Sequence, residues 1–183
     1  MANPEQLEYL QDSADDWNIY RREHAITRPD LIGADMSAAQ LPGADLSGAD
    51  LLKADLRAID LTGASLAHAD LIGANLSGAF LLDVDLSGAN LTGADLTGAN
   101  LTGVNATGAI LTHTNLTGAT LSGANLSNAD LSYAALRQAD LSGANLTNAT
   151  LLQADLTGAN LVDVDLSRAD LTGAAGLKRN ERP

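Results

Sequence analysis

The sequence has no cysteine and few basic residues, and each shortage excludes a class of function. Without cysteine the chain forms neither disulfides nor thiolate metal sites. Only 10 Lys and Arg stand against 23 Asp and Glu, which gives a net charge of −13. Nucleic acids and anionic lipid surfaces bind clustered cations. The composition therefore argues against both of these partners.

A secretory signal and a long apolar run are also missing. The opening MANPEQLEYLQDSADDW carries acids where a signal would carry basic residues and then an apolar segment, which predicts a cytoplasmic protein. Residues 96–129 contain no Asp, Glu, Lys or Arg, but Gly, Asn or Thr interrupts them throughout. Because a membrane span needs about 20 mainly apolar residues, we expect no membrane segment.

Catalytic and cofactor motifs are absent as well. The glycines recur by fives and never form GxGxxG or GK(S/T). None of the histidines His24, His68 and His113 has a sequence-visible nucleophile and orienting acid around it. We therefore predict no enzymatic activity, no cofactor and no metal.

Residues 1–29 have the pattern of a helical cap. Asn3 followed by Pro4 is a helix start, with a side-chain cap and proline at the first helical position. Ser13 with Asp16 could restart a second helix, and Pro29 is expected to end the helical region. Apolar side chains at spacings of three and four form one face, which should pack on the first coil of the structure that follows: Leu7, Leu10, Ala14 and Trp17.

From residue 30 the chain repeats every five residues. Leucine fills 27 of the 29 slots from Leu31 to Leu171, and a second column, two residues before a leucine slot, holds alanine in 24 of its 29 positions from Ala34 to Ala174. The slot before leucine is Asp in 14 cases and Asn in 8, the slot after it is Ser or Thr in 19, and the next holds 16 of the 17 glycines. The consensus is A-(D/N)-L-(S/T)-G.

This period excludes a helix and a flat strand. Five residues at 100° each place successive leucines 140° apart, so they never form a stripe. Strict alternation also fails, because the inward residues are spaced two, three, two, three. The chain must turn a corner after each short extended piece, where Gly and Asn tolerate positive φ. Corners of one hand wind the chain into stacked coils about 4.8 Å apart.

The leucine and alanine columns are the predicted core of these coils. Period five alone leaves the number of sides open; Val84, Val104 and Val164 share one phase of a 20-residue period and favour four. The least regular stretch, 104–114, is either a seam between repeat blocks or ordinary drift. The core residues that we single out are Leu31, Leu46, Leu51, Leu71, Leu91, Leu111, Leu131, Leu151, Leu171, Ala34, Ala74 and Ala94.

This pattern resembles the pentapeptide repeat proteins, which are abundant in bacteria and especially in cyanobacteria. The resemblance covers residues 30–175, and the opening Trp17-Asn18-Ile19-Tyr20-Arg21 followed by Pro29-Asp30-Leu31 is similar to the segment before the repeats in some members. It implies an all-β solenoid, a right-handed quadrilateral β-helix of about seven coils and roughly 35 Å. The expected domains are a cap at 1–29, the β-helix at 30–175 and a tail at 176–183.

The resemblance implies two functions. Most members have no assigned biochemical role, and we expect a non-enzymatic scaffold that binds an unidentified protein. A minority bind DNA gyrase or topoisomerase IV by imitating duplex DNA, often as dimers joined at their C-terminal ends, which is the alternative. Twelve net charges over roughly 35 Å is about one per 3 Å, against one per about 1.7 Å in DNA.

Two further expectations concern acids and ends. In a four-sided coil Asp30, Asp50 and Asp70 would stack about 4.8 Å apart, but ligands that point side by side in water hold no ion firmly. A solenoid's terminal coils expose unpaired backbone and apolar core. The leader can cover the first coil, whereas only Leu177 and KRNERP follow the break at Gly176. We expect the C-terminal coil to pair with a second copy, giving a homodimer.

Overall fold

The chain begins with two short helices. In the computed structural model, which describes residues 2–177, α1 spans Pro4–Asp12 and α2 spans Ala14–Glu23. The side chain of Asn3 accepts hydrogen bonds from the first turn of α1, and Ser13 does the same for α2. Ser13 also donates to the Asp16 carboxylate at 2.7 Å. Both predicted helix starts are confirmed.

The predicted end of the helical region is wrong. We expected Pro29 to end it, but α2 stops at Glu23. Ala25 adopts a positive φ of 49°, which lets the N–H of Ile26 reach back to the carbonyl of Arg21 at 3.0 Å. This is the Schellman arrangement that closes many helices. Here alanine takes the position that usually holds glycine, so no glycine marks the end of the helix.

Beyond the helices the chain winds into a four-sided coil. Parallel backbone bridges join each residue before a leucine to the residue twenty positions later, beginning with Asp30 and Asp50 and ending with Asp155 and Ala175. Four pentapeptides therefore complete one coil, which decides the number of sides that period five left open. Within residues 2–177 each bridge is isolated, so the walls are ladders of single bridging residues rather than extended strands.

The four sides are named here by the core residue that begins each column. Face 1 begins at Leu31, face 2 at Met36, face 3 at Leu41 and face 4 at Leu46, and each column continues with every twentieth residue. Because the chain visits the faces in this order, face 1 lies opposite face 3. Each pentapeptide contributes its residues before and after the core position to the outer surface of its face.

Hydrogen bonds close both the ladder and the corners. The N–H of Leu51 donates forward to Asp70 at 2.7 Å, and the N–H of Asp70 donates back to Ala49 at 2.9 Å. The corner closes when the N–H of Ala54 donates to the carbonyl of Leu51 at 2.9 Å. The same bonds recur from coil to coil, so most backbone N–H groups of the described rod have acceptors.

The corner slot has a positive φ almost everywhere. Of its 29 residues, 28 have a positive φ, 16 of them glycines and 12 not. The exception is Arg168 in the last coil. There the bridge between residues 145 and 165 is also missing from the ladder. The regular corner therefore fails only at the last turn of face 4.

Leucine and alanine columns fill the interior. The predicted core residues are less than 4% exposed, except that Leu171 in the last coil is only partly buried. In the cap Leu10 and Trp17 are buried and Leu7 is partly buried. The ladder continues without interruption through the irregular stretch 104–114, where Thr114 is buried and donates its hydroxyl to the carbonyl of Leu111 at 2.6 Å.

Candidate interaction surfaces

The first coil has no preceding coil to bond, and the helical cap supplies the missing partners. Inside the rod, the residue before each leucine donates its N–H to the preceding coil and accepts a bond at its carbonyl. For Asp30 the acceptor is the side chain of Gln6 at 2.8 Å, and the donor is the N–H of Asn3 at 2.8 Å. For Asp45 the acceptor is the side chain of Asn18 at 2.7 Å, and one donor is the indole of Trp17 at 2.8 Å.

Arg21 is the centre of this cap. Its guanidinium donates to the carbonyl oxygens of Asp45 and Ser47, each at 2.6 Å, and to Ile26 at 3.0 Å. It also pairs with the Asp45 carboxylate at 3.1 Å. Burial lowers the pKa of Arg21, against the opposing attraction of Asp45. This buried guanidinium therefore holds α2 against face 4 through hydrogen bonds and an ion pair.

The cap covers the first coil unevenly. Its bonds reach Asp30 on face 1, and Asp45 and Ser47 on face 4. The chain also passes so close to face 4 that a Cβ on Gly48 would lie 2.9 Å from the carbonyl oxygen of Thr27. Among the described residues, the N–H groups of Asp35 on face 2 and Gln40 on face 3 have no protein acceptor.

The last coil has no comparable cover within residues 2–177. Its inward residues are partly buried rather than buried, with the exception of Leu166 at 8% exposure. The N–H groups of Leu161, Leu166 and Leu171 have no backbone acceptor in the described part of the chain. Apolar core and unpaired backbone together make this end a candidate interaction surface.

The acidic column, by contrast, serves the corners. All 22 Asp and Asn residues in the slot before leucine accept a hydrogen bond from the N–H two residues later. Such Asx turns hold the chain in the bent conformation that each corner needs. Most of the aspartates that make the repeats acidic therefore also stabilise the corners.

Hydrogen bonding lowers the pKa of several of these carboxyls. For Asp155 the bonds from Thr157 and then from Arg137 lower the pKa to about 2. Hydrogen bonds from Ser142 lower the pKa of Asp140, and those from Thr172 lower the pKa of Asp170. Arg137 lies one coil before Asp155 and forms an ion pair with it. These carboxylates are held in their charged form where the rod ends.

The structure does not gather the polar candidates into a catalytic or metal site. Asp30, Asp50 and Asp70 stack as predicted, but each carboxylate bonds its own corner, and Arg28 pairs with Asp50 at 2.9 Å. Across residues 2–177 no group of three or more His, Cys, Asp or Glu could hold an ion. His113 stacks on the ring of Tyr133 at 4.9 Å, on face 1.

Sequence reasoning missed one surface feature, an exposed apolar pair on face 3. Phe80 is 52% exposed and Leu82 is 37% exposed. They occupy slots that normally hold Asp or Asn and Ser or Thr. The pentapeptide 79–83 reads AFLLD, so it departs from the consensus in all three outward slots. That departure was the available signal.

Neither helix of the described chain has the length and apolarity that crossing a membrane requires. Comparison with the curated proteins gave no match. Among solved structures, HetL, a pentapeptide repeat protein involved in heterocyst differentiation regulation from the cyanobacterium Nostoc sp. strain PCC 7120, is 41% identical. The match covers 79% of this chain and 73% of HetL, with a TM-score of 0.37.

Two further structures are similar. QnrB1, a plasmid-mediated fluoroquinolone resistance protein, is 24% identical over 82% of this chain and 78% of its own, with a TM-score of 0.52, and shows likeness of fold alone. The protein alr5209 from Nostoc PCC 7120 is 38% identical over 58% of this chain and 83% of its own, with a TM-score of 0.47.

The family model for pentapeptide repeats (8 copies) matches residues 30–66, 64–103, 99–138 and 134–173. These matches overlap and together cover the rod from its first coil almost to its last. A match to this family implies that the coil is a right-handed β-helix. The chain belongs to the pentapeptide repeat family.

Proposed function

We propose that this protein is a non-enzymatic, cytoplasmic scaffold that presents rigid surfaces to a protein partner. The observation that supports it is the contrast between a rod whose turns are hydrogen-bonded and a last coil that has no comparable cover within residues 2–177. The 22 Asp and Asn side chains before the core positions accept turn bonds, whereas the last coil offers a surface for contact.

In this proposal the three segments have different tasks. Residues 1–29 cover the first coil and residues 30–175 give the rod its stiffness, whereas most of the predicted tail at 176–183 lies outside the described residues. The leucine and alanine columns supply that stiffness, because they form one core that runs from coil to coil. Whether 104–114 is a seam does not change this role, because the ladder continues through it.

The C-terminal coil is the proposed site of pairing with a second copy. Leu161, Val164, Leu171 and Ala174 are partly buried there, and a second copy of the same coil offers both the apolar cover and the missing acceptors. An isologous contact of this kind closes after two copies and does not propagate. The expected product is therefore a dimer.

Sedimentation or light scattering across a range of about 1 to 100 µM, around typical weak-dimer affinities, tests the pairing. We expect Leu161→Glu to give a monomer, because the charge would lie in the contact. Val162→Glu is the matched control, since Val162 is 60% exposed on the side of the same coil, and it should leave the dimer intact. A monomer mass for the unmodified protein at all concentrations would contradict the pairing.

A second candidate is a DNA-mimic regulator of DNA gyrase or topoisomerase IV. The observation in its favour is the acidity of the repeats, which hold 16 Asp against four Lys and Arg, a net charge of −12 for residues 30–175. Against it stands the absence of any charged residue from 96 to 129. A mimic needs continuous charge along the rod, so we rank it second.

Inhibition of gyrase-catalysed supercoiling tests this candidate. The informative variant replaces Asp30, Asp50 and Asp70 by Asn, because the amide oxygen still accepts the turn bond while three charges are removed. Asn substitution at Asp35, Asp55 and Asp95 on face 2 removes the same number of charges and controls for lost charge alone. Mimicry is supported if the unmodified protein and the face 2 control inhibit gyrase and the face 1 variant does not. If the unmodified protein does not inhibit, mimicry is excluded for that enzyme.

A further inference from the structure

Face 3 carries an adjacent apolar pair in the middle coils, apart from Val162 in the last coil. Phe80 bridges Asp60 on the preceding coil and Asn100 on the following one, so its ring stands between polar neighbours about 4.8 Å away. Leu82 lies two residues further on the same face. Single exposed hydrophobic residues are ordinary, but here an aromatic and an aliphatic side chain are adjacent and both are exposed.

The presence of Phe80 costs its pentapeptide one turn hydrogen bond. The slot of Phe80 holds Asp or Asn in 22 of 29 repeats, and each of those makes the turn bond. Phe80 has no oxygen to offer, so the N–H of Leu82 lacks that bond, and among the described residues it has no other hydrogen-bond acceptor. The backbone of Phe80 keeps its ladder bonds, but its side chain makes no turn bond and leaves about half of its surface exposed.

The surroundings are negative. Face 3 lies wholly within the described residues and carries Asp60, Asp83, Asp140 and Asp163 but no Lys, Arg or His. Asp83 follows the pair at the corner, with a positive φ of 54°. The carboxylate of Asp83 reaches over the next coil. A Cβ on Gly103 would clash with its Oδ1. Glycine at 103 therefore leaves the space that this carboxylate occupies.

We infer that Phe80 and Leu82 anchor a docking surface for a protein that has an apolar recess bordered by Lys or Arg. Aromatic anchors near the centre of an interface supply much of the binding energy when they fill a pocket. Asp60 and Asp83 flank the anchor, so charge complementarity selects a basic border and steers the encounter. This inference rests on the proposed scaffold function and assigns its binding face.

The chain offers a variant that removes the anchor without harming the fold. F80N/L82T restores the consensus A-(D/N)-L-(S/T) in that pentapeptide, and the new amide oxygen can accept the turn bond. The melting temperature should therefore stay equal or rise. Ile110→Asn is the matched control, because Ile110 is 41% exposed in the same slot on the opposite face and its replacement restores the same consensus.

The test is photocrosslinking in the source cells, with benzoylphenylalanine at Thr102, one coil below Leu82 on face 3. We expect a covalent product with another protein, with yield reduced at least about tenfold by F80N/L82T and unchanged by Ile110→Asn. Mass spectrometry of the linked peptide should show Lys or Arg beside apolar residues. Repeating the crosslinking on a cell extract in 0.5 M NaCl should lower the yield.

Several outcomes would overturn the inference. They are a product that persists in F80N/L82T, a linked peptide from a second copy of this chain, and a linked peptide without basic residues. The same crosslinker at Thr172, in the last coil, distinguishes failure of the docking surface on face 3 from failure of the proposed scaffold function. A partner captured there but not at Thr102 leaves the scaffold standing and removes this docking surface, whereas no product at any position removes both.

Discussion

The two ends of the rod face the same physical problem and treat it differently. At the N-terminal end, side chains of α1 and α2 replace the missing coil on faces 1 and 4, and the inward residues there are buried except Ala39, which is partly buried. At the C-terminal end the last inward leucines stay partly exposed, and one corner departs from the pattern at Arg168. The difference shows that a coil buries its inward residues and pairs its backbone only when a neighbouring coil or a cap covers it.

The largest expected effect comes from removing the buried tryptophan of the cap. Trp17 is fully buried and donates its indole N–H to the carbonyl of Asp45 at 2.8 Å. Trp17→Ala should lower the free energy of unfolding by about 3–5 kcal/mol, measured by urea denaturation. Ile19→Ala, at a position 43% exposed on the same helix, should change it by less than about 0.5 kcal/mol. Equal effects of the two would show that the cap does not pack on the coil as described.

The second prediction concerns the bonds that the cap makes rather than its volume. Arg21→Ala removes the guanidinium bond to the Ser47 carbonyl and one of the donors to each of the Asp45 carbonyl and carboxylate, all partly buried, so we expect a loss of about 3 kcal/mol. Arg22, the next residue, is exposed, and Arg22→Ala should be nearly neutral. Hydrogen exchange should locate the loss in the first coil, with faster exchange at the N–H of Asp45 than at residues of the middle coils. Uniform acceleration along the rod would contradict a local cap.

The third prediction compares the middle with the open end. Leu91 and Leu171 belong to the same column of face 1, but Leu91 is fully buried and Leu171 is not. Leu91→Ala should lower the free energy of unfolding by about 2–5 kcal/mol, and Leu171→Ala by about 1 kcal/mol in dilute protein. If a second copy covers the last coil, the cost of Leu171→Ala rises with protein concentration. A cost equal to that of Leu91→Ala in dilute protein would mean that the end is already covered.

These comparisons also show how far the sequence alone leads. The period of five sufficed to predict coils, corners, the inward columns and both helix starts, because each depends on residues close together in the chain. The number of sides depended on pairing twenty residues apart, and period five could not decide it. The end of α2 at Glu23 was missed because Ala25 takes a conformation that glycine usually marks.

The candidate surfaces were harder to predict for a related reason. Arg21 was visible as part of a motif, but its role required knowing that the carbonyls of Asp45 and Ser47 lie above it. Phe80 and Leu82 were visible as departures from the consensus. Their significance required knowing that all 22 consensus acids and amides make a turn bond that Phe80 forgoes.

The smallest expected effect is the response of the two ends to acid. Hydrogen bonds lower the pKa of Asp155 to about 2, below the value of about 3.9 expected in the unfolded chain. Such a group favours the folded state when it is charged, so its contribution is complete above about pH 4 and is lost as the pH falls toward 2. Asp140, Asp165 and Asp170 in the C-terminal coils have pKa values shifted in the same direction, as do Asp35 and Asp55 in the first two coils.

Hydrogen exchange at pH 5 and pH 3 measures this effect coil by coil. We expect the N–H groups of Leu136 and Leu151, which bond the carbonyls of Asp155 and Asp170, to lose protection at pH 3 before those of Leu91 and Leu101 in the middle. Asp155→Asn, which keeps the turn acceptor but does not titrate, should reduce the acid-induced loss at Leu136. Loss of protection in the middle coils before the C-terminal coils would contradict this prediction. It would mean that the hydrogen-bonded carboxylates do not determine the acid stability of the C-terminal coils.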